Sequence, residues 1–394
     1  MLLHLFKMIW NRKRSNSLII AEITIAFIVI FAVTVLTIRN YTLYQIPLGY
    51  NYENMWRIQI MPSGEWDESK DEKKLLQIIS AVKQQPEVEK LHLLSTPTFR
   101  NWRGSSIVDV DGQKILYYRN TFDDTAAKTL GMTLNDGRWF GPQDSNQNYD
   151  PVVVNQEFVN QYYPNESVIG KNIADTQDEN AREKRIVGVF QAFRQFGELA
   201  AVVPYVFSRS DINAPGRMLG IELKLKPDFD PAFEQRVLEM LKGLAPENSY
   251  SLTSWEIQRE KQIRQTTIPL TIFAIVASFL IIMVAMGLFG VLWQNVTSRT
   301  HEIGLRRALG ATAVGIHKQI IGELMIITLI GIAIAFIALV QLPMLGVFQE
   351  LDWSLFWISL LSAMAFMLAL AALCGFYPGK IATGYSPSEA LHYE

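Results

Sequence analysis

Four apolar runs, one near the N-terminus and three near the C-terminus, bracket a long middle stretch. In that stretch hydrophobic positions alternate or recur at helical spacing. The first run, residues 18–38 (LIIAEITIAFIVIFAVTVLTI), is long enough at about 1.5 Å per residue to cross a hydrocarbon core of about 30 Å. The others cover residues 268–293, 320–341 and 353–376. The first run exceeds the length of a signal-peptide h-region and no small-x-small cleavage pattern follows it, so it is expected to be a permanent anchor. The pattern predicts an α-helical membrane protein with four transmembrane helices. A large α+β extracytoplasmic domain, residues 40–267, lies between helices 1 and 2.

Within that domain the period changes repeatedly. MWRIQI (55–60) alternates as a strand. DEKKLLQIISAVKQQ (71–85) places Leu75, Leu76, Ile79 and Val82 on one helical face, and VEKLHLLS reads as the next strand. Near the end of the domain the order recurs, with GIELKLK a strand, DPAFEQRVLEMLKGL a helix and SYSLTSW a strand. Two βαβ units can share one α+β sheet. The reading is a base at about 50–100 and 215–255 carrying an insertion at about 100–210, the division into a porter-like base and an inserted subdomain being what the family resemblance given below implies. The insertion contains a hairpin with Asp111-Gly112 at its turn. It also contains a buried strand (PVVVN), a helix (QEFVNQYY) and a strand (KRIVGVFQAF). No paired carboxylates or Ser/His/Asp grouping stands in a recognisable context, and its acids and hydroxyls are expected to be solvated. EIQREKQIRQTT is polar with helical propensity and runs on toward Pro269, which predicts a helical stalk; a flexible linker is the alternative.

Charge orients the spans. Lys7, Arg12, Lys13 and Arg14 precede the first; Arg299, Arg306, Arg307 and Lys318 separate the second and third; Lys380 follows the fourth. LPMLGVFQELD, between the third and fourth, has no Lys or Arg. The positive-inside rule then puts residues 1–17, 295–319 and 377–394 in the cytoplasm and 40–267 outside. The net charge of −2 excludes the dominant basic surface of a nucleic-acid binder. A single cysteine, Cys374, excludes an intrachain disulfide and a thiolate zinc site, and is read as a packing residue. The five histidines show no metal-ligand spacing. Glu22, near the cytoplasmic end of the first span, is read as snorkelling or facing another helix, with a proton-relay role as the sharper alternative. Gly287, Gly290, Gly331, Ala363 and Ala365 are candidates for close helix approach.

The stretch SRTHEIGLRRALGAT (298–312) interrupts this apolar landscape. Ile303, Leu305, Ala308 and Leu309 form an apolar side, and Glu302, Arg306 and Arg307 carry charge. Gly310 is placed to end the helix and Thr312 to cap the next. By residues alone this fits equally a surface helix held on acidic lipid and a helix that docks on a protein. No phosphate-cradling loop is found: SVIGKN and GFYPGK both lack the first glycine of the G-x4-G-K-[ST] pattern, so the chain is not expected to hydrolyse ATP.

SRTHEIGLRRALGAT resembles the signature of the FtsX/MacB-type permeases of ABC transporters, close to R-T-x-E-I-G-x-x-x-A-x-G-A. Arg299, Thr300, Glu302, Ile303, Gly304, Ala308, Gly310 and Ala311 match it. Glu323, early in the third span, resembles a glutamate found there in the family. YPGKIATGYSPSEALHYE resembles the family's ending through Tyr377, Pro378, Ala382, Pro387, Ala390, Leu391 and Glu394, with Gly379 and His392 as departures. GRWF, PVVVNQEFVNQYY and IVGVF look like the periplasmic domain of MacB-like permeases. The resemblance implies a stand-alone permease subunit of the bacterial cytoplasmic membrane with no cofactor of its own, ATP being bound by a partner ATPase subunit. Arg299, Glu302, Ile303, Leu305, Arg306, Arg307, Leu309 and Gly310 would then form the ATPase-coupling helix. A second permease copy or a paralogue would complete a dimer in the bilayer, and an efflux role would add a periplasmic adaptor or outer-membrane channel. Mechanotransmission, the export of peptide, drug or lipoprotein-like cargo by motion of the outside domain, is the implied function. The alternative is an FtsX-like regulator or scaffold that signals to a partner such as a cell-wall hydrolase.

Overall fold

The computed structural model describes residues 13–64, 68–100, 104–178, 181–210, 220–298, 303, 305–306, 309–346 and 351–384. It divides into two compact units, one made of residues 1–42 and 267–394 and the other of residues 43–266. In chain order the elements are α1 (Lys13–Gln45), β1 (Met55–Met61), α2 (Glu68–Lys83), β2 (Val88–Leu93), β3 (Ser105–Val110) and β4 (Gln113–Phe122). Then come α3 (Ala126–Leu130), β5 (Leu134–Gly137), β6 (Asp150–Asn155), α4 (Gln156–Tyr162), β7 (Lys184–Phe190) and β8 (Tyr205–Arg209). The chain closes with β9 (Gly220–Leu225), α5 (Phe233–Leu244), β10 (Ser249–Ser254), α6 (Trp255–Thr297), α7 (Ala313–Leu339), α8 (Gln341–Met344) and α9 (Trp353–Gly384).

The first sheet of the 43–266 unit has the order β10-β1-β9-β2, every neighbour antiparallel. Each βαβ unit is therefore split by a strand of the other: β9 lies between β1 and β2, and β1 lies between β9 and β10. Ile58 stands opposite both Leu252 and Ile221, and this row faces the helices. There it packs with Leu75, Ile78, Ile79 and Val82 of α2 and with Phe233, Val237 and Leu241 of α5. The α2 face is thus rotated slightly from the sequence reading, with Ile78 buried and Leu76 only half-buried. The alternate row runs Thr253, Arg57, Glu222, His92 and points to the opposite face, because successive strand side chains alternate sides.

The second sheet, order β3-β4-β8-β6-β7-β5, is built from the residues between the two halves of the first. Its hairpin turns at Asp111 (φ 53) and Gly112 (φ 86), both left-handed, as a two-residue turn of the primed type requires. β6 is central and buried on both faces, which is why it reads as an unbroken valine run. Val152 and Val154 join a cluster with Phe158 of α4, and Val153 joins an aromatic cluster with Phe122, Trp139, Phe190, Phe193, Phe207 and Trp255.

Several acids of this region are not solvated, contrary to the expectation from sequence. Asp123 is buried and accepts from the backbone of Leu93 (3.0 Å) and Thr125 (2.8 Å) and from the Thr125 hydroxyl (2.7 Å). Burial pushes its carboxyl above the ordinary aspartate range. Asp144 takes a bidentate pair from Arg138 at 2.6 Å and 2.6 Å, and Arg209 grips Asp124 at 2.7 Å and 2.8 Å. These partners are distant along the chain or sit in irregular segments, so no periodicity announces them. Trp255, read as the end of a strand, is instead the first residue of α6.

In the other unit, α1, α6, α7 and α9 each carry a stretch long and apolar enough to cross a membrane, with mean hydropathy between 2.2 and 2.8. Their shared core contains Ile23 and Phe27 of α1, Leu288 of α6, Leu324 of α7 and Phe356 and Met367 of α9. α6 continues without interruption through Pro269. Gly331 sits where a Cβ would come within 2.7 Å of Ile23, and the Thr24 hydroxyl donates to the Gly331 carbonyl at 3.2 Å. Small residues permit such backbone approach where no hydrophobic effect drives helices together. Of the other small residues singled out, Ala363 is buried in this core, Ala365 is exposed, and Gly290 has open space beside it.

Candidate functional site

The charged loop forms from local signals. The Leu309 amide donates to the Leu305 carbonyl at 3.0 Å, one α-helical turn. Gly310 then takes φ +97, and the Ala311 amide returns to the Arg306 carbonyl at 2.9 Å, the six-to-one bond of a Schellman ending. Glycine is needed there because a side chain is strained at positive φ. The Thr312 hydroxyl accepts from the Gly315 amide at 3.1 Å and caps α7. Stop, turn and restart occupy Gly310-Ala311-Thr312.

Among the loop's apolar residues the structure makes a distinction that periodicity does not. Ile303 is only 7% exposed and packs with Val296 of α6 and Ile316 of α7. Leu305 is 47% exposed and Leu309 81% exposed. One hydrophobe thus anchors the loop to its flanking helices, while two, a turn apart, point away. Arg306 donates to Gln319 Oε1 at 3.0 Å, and Gln319 Nε2 donates to Glu323 Oε1 at 3.2 Å. Arg306 and Glu323, named from sequence, are therefore brought together through Gln319, which was not. The signal available was the i, i+4 spacing of Gln319 and Glu323 on α7. Arg299, Glu302 and Arg307 lie outside the described residues, as do the family-like positions 385–394. Glu22 faces α6: a Cβ on Gly287 would lie 2.7 Å from its Oε2.

A second constellation lies within the 43–266 unit, where α1 ends and α6 begins. The buried Arg194 guanidinium donates to the carbonyls of Leu43 (2.6 Å) and Ile46 (2.8 Å), and to those of Glu198 and Ala200 (2.6 Å). Its charge sits on the unsatisfied C-terminal carbonyls of a helix, where a cation is favoured. Four residues on, Glu198 pairs with Arg259 of α6, whose guanidinium lies 4.7 Å from the Tyr52 ring centroid. Trp255 Nε1 donates to Glu222 Oε2 at 2.7 Å, and Glu222 also binds Arg57. Burial raises the Glu222 carboxyl, and the Arg57 guanidinium and the Trp255 N–H pull it back. Tyr50 is held well above its usual range by burial and by Glu198, and it donates to the Arg194 carbonyl at 3.1 Å. One loop, residues 191–200, so holds the last turn of the helix that arrives and the first turns of the helix that leaves. The pairs Arg194–Leu43 and Glu198–Arg259 are too far apart in sequence for any local pattern to reveal.

Four apolar helices and an interposed α+β domain define a multi-pass membrane protein with a periplasmic-type domain. Residues 18–239 match the MacB-like periplasmic core domain, and residues 274–387 match the FtsX-like permease C-terminal domain. The chain belongs to the FtsX/MacB family of ABC transporter permeases. Among its relatives is the macrolide export ATP-binding/permease protein MacB of Escherichia coli (strain K12), 26% identical over 274 residues, which cover 67% of this chain and 41% of that protein. The protein of the same description from Neisseria gonorrhoeae is 24% identical over 292 residues, covering 70% of this chain and 45% of that protein. The chain thus spans less than half the length of these relatives. Among solved structures, the periplasmic region of MacB from Actinobacillus actinomycetemcomitans aligns with a TM-score of 0.39 at 16% identity, over 56% of this chain and 97% of that one. The extracellular domain of the ABC-type transporter YknZ aligns with a TM-score of 0.36 at 11% identity, over 51% of this chain and all (100%) of that domain.

Proposed function

We propose that this chain is the transmembrane subunit of a bacterial ABC transporter, driven by a separate ATPase, and that residues 303–309 are the element on which the ATPase bears. The observation that carries the reading is the division of labour in the loop: Ile303 is buried against α6 and α7, while Leu305 and Leu309 project outward together. A helix laid on acidic lipid needs only an apolar face. A helix that transmits force needs that face turned to a partner and a separate attachment to the spans, and Ile303 and the Arg306–Gln319–Glu323 bridge supply the attachment.

On this reading nucleotide-driven movement of the loop passes along α6 and α7, with 1–17, 295–319 and 377–394 on the cytoplasmic side and 40–267 outside. The 191–200 loop, which grips the last turn of α1 and the first turns of α6, is suited to carry helix movement into the outside domain as mechanotransmission. A second permease copy or paralogue completes the dimer, and the cargo is exported or expelled rather than imported. ATP binds the partner and not this chain.

Each leucine buried in such an interface contributes about 1.5–3 kcal/mol, and a carboxylate in its place adds a desolvation cost. Leu305→Asp with Leu309→Asp should leave the protein in the membrane and abolish its copurification with the ATPase that accompanies the wild type in detergent. Retention of that ATPase by the double variant would reject the coupling role.

A further inference from the structure

The β3–β4 hairpin turns three cross-strand pairs to one face: Ser105 opposite Tyr118, Ile107 opposite Leu116 and Asp109 opposite Lys114. The alternate residues Val108, Val110, Ile115 and Tyr117 turn to the other face and pack in the cluster with Phe158. Farther along β4 the first face is covered, since Phe122 lies in the aromatic cluster. Toward the turn it is not: Ile107 is 68% exposed and Leu116 is 44% exposed. The Leu116 backbone fixes how closely these two side chains stand. Its amide donates to Tyr162 Oη at 3.0 Å, and its carbonyl accepts from that hydroxyl at 2.8 Å, so both groups point away from β3. Ile107 and Leu116 are therefore a non-hydrogen-bonded pair, the kind in which opposed Cα atoms stand about 4.5 Å apart and side chains are closest. Charge borders the pair on the side of the turn. Asp109 Oδ1 accepts from the Gly112 amide at 2.8 Å, which holds the carboxylate there, and Lys114 is exposed.

Single exposed hydrophobes are ordinary on a protein surface. Two of them paired across a ladder, with an acid and a base in register beside them, make a surface that complements itself. Sheets stack face to face about 10 Å apart. When two such hairpins stack about a two-fold axis parallel to their strands, β3 of each lies over β4 of the other at the same height. Ile107 then meets Leu116 of the second copy, and Asp109 meets its Lys114. A two-fold axis across the strands instead sets Ile107 on Ile107 and Asp109 on Ser105, which leaves the charges unmatched. We propose that this face of the β3–β4 hairpin is a contact between two copies of the chain, stacked in the first arrangement. So few residues do not make a freestanding interface, which buries at least about 1,200 Å². Two chains confined to one bilayer need less, because tethering raises their effective concentration. The inference rests on the second permease copy of the proposed function and not on the ATPase-coupling helix.

The test uses full-length chains in a Cys374→Ala background, co-expressed with two different tags. One carries Ile107→Cys and the other Leu116→Cys, and the membranes are treated with a short bismaleimide crosslinker. A product bearing both tags should form in clear excess over the product obtained when both copies carry Lys128→Cys, an exposed position on α3. It should also exceed the product obtained when both copies carry Ile107→Cys. Lys114→Glu in both copies sets an acid against Asp109 of the second copy and should cut the 107–116 yield about tenfold. Lys114→Ala, which adds no like charge within the hairpin, is a milder variant with the same expected direction. A 107–116 yield no higher than the Lys128→Cys control would overturn the proposal. So would a preference for 107–107, indifference to Lys114→Glu, or capture of a different protein by Ile107→Cys in place of the second copy. If the ATPase still copurifies in such a case, this contact falls and the transporter reading stands.

Discussion

His92 makes a quantitative test of the polar row under the first sheet. It is fully buried, neither ring nitrogen has a hydrogen-bond partner among the described residues, and its ring stacks on Phe122 at 6.4 Å between centroids. Burial, then the Arg57 charge in the same cross-strand row, push its pKa from 6.5 down to about 3. The folded state therefore binds the proton more weakly than the unfolded chain. Stability is fully present above pH 6.5 and falls with acidification, flattening only near pH 3. At about 1.36 kcal/mol per pH unit, the loss from this one group is roughly 2 kcal/mol at pH 5. Asp123 and Glu222, whose pKa values are raised, push the other way in the acid range, so the wild-type curve alone does not isolate His92. A difference measurement does. His92→Leu removes the titrating group and two unsatisfied nitrogens at similar volume, and should be neutral or stabilising by about 1 kcal/mol at pH 7.5. At pH 5 its advantage should grow by roughly 2 kcal/mol. Urea unfolding of both full-length proteins in detergent micelles, followed by tryptophan fluorescence, would measure the gap. A gap that is the same at pH 7.5 and pH 5 would refute the reasoning.

Gly137→Ala should destabilise the 43–266 unit by several kcal/mol, about 1–3 from the left-handed φ alone and more from a Cβ 2.4 Å from the Val187 carbonyl; thermal unfolding of the purified variant checks it, and an unchanged midpoint would show that the GRWF turn can relax. In a Cys374→Ala background, a cysteine at Asp352 should react with an impermeant thiol reagent added to intact spheroplasts and one at Thr312 should not. The opposite labelling would invert the topology and remove the transporter reading.

Much of this molecule was legible from one dimension. Membrane spans announce themselves because lipid demands a continuous apolar surface and internally satisfied backbone. The two βαβ units, the Asp111-Gly112 turn and the Gly310-Thr312 stop and restart are equally local: each depends on a period or on one residue's backbone freedom. The four-span membrane plan rested on such features, whereas the permease class and the coupling role expected of residues 298–312 rested on their resemblance to a family signature.

What tertiary structure decided is which of several equivalent residues does which task. Ile303, Leu305 and Leu309 are interchangeable as hydrophobes on a short helix; only the packing of α6 against α7 buries the first and leaves the other two outward. The interleaving of β1 and β9 turned Arg57, Glu222 and His92 into one buried row, though nothing near each residue in sequence marks it as charged and enclosed. Arg194, Glu198 and Arg259 meet for the same reason. Helical and strand periods record which side of an element faces away from water, and that information is carried by neighbours three or two positions away. The identity of a buried charge's partner is set by chain closure over tens to hundreds of residues, and the sequence states it only once the strands have paired.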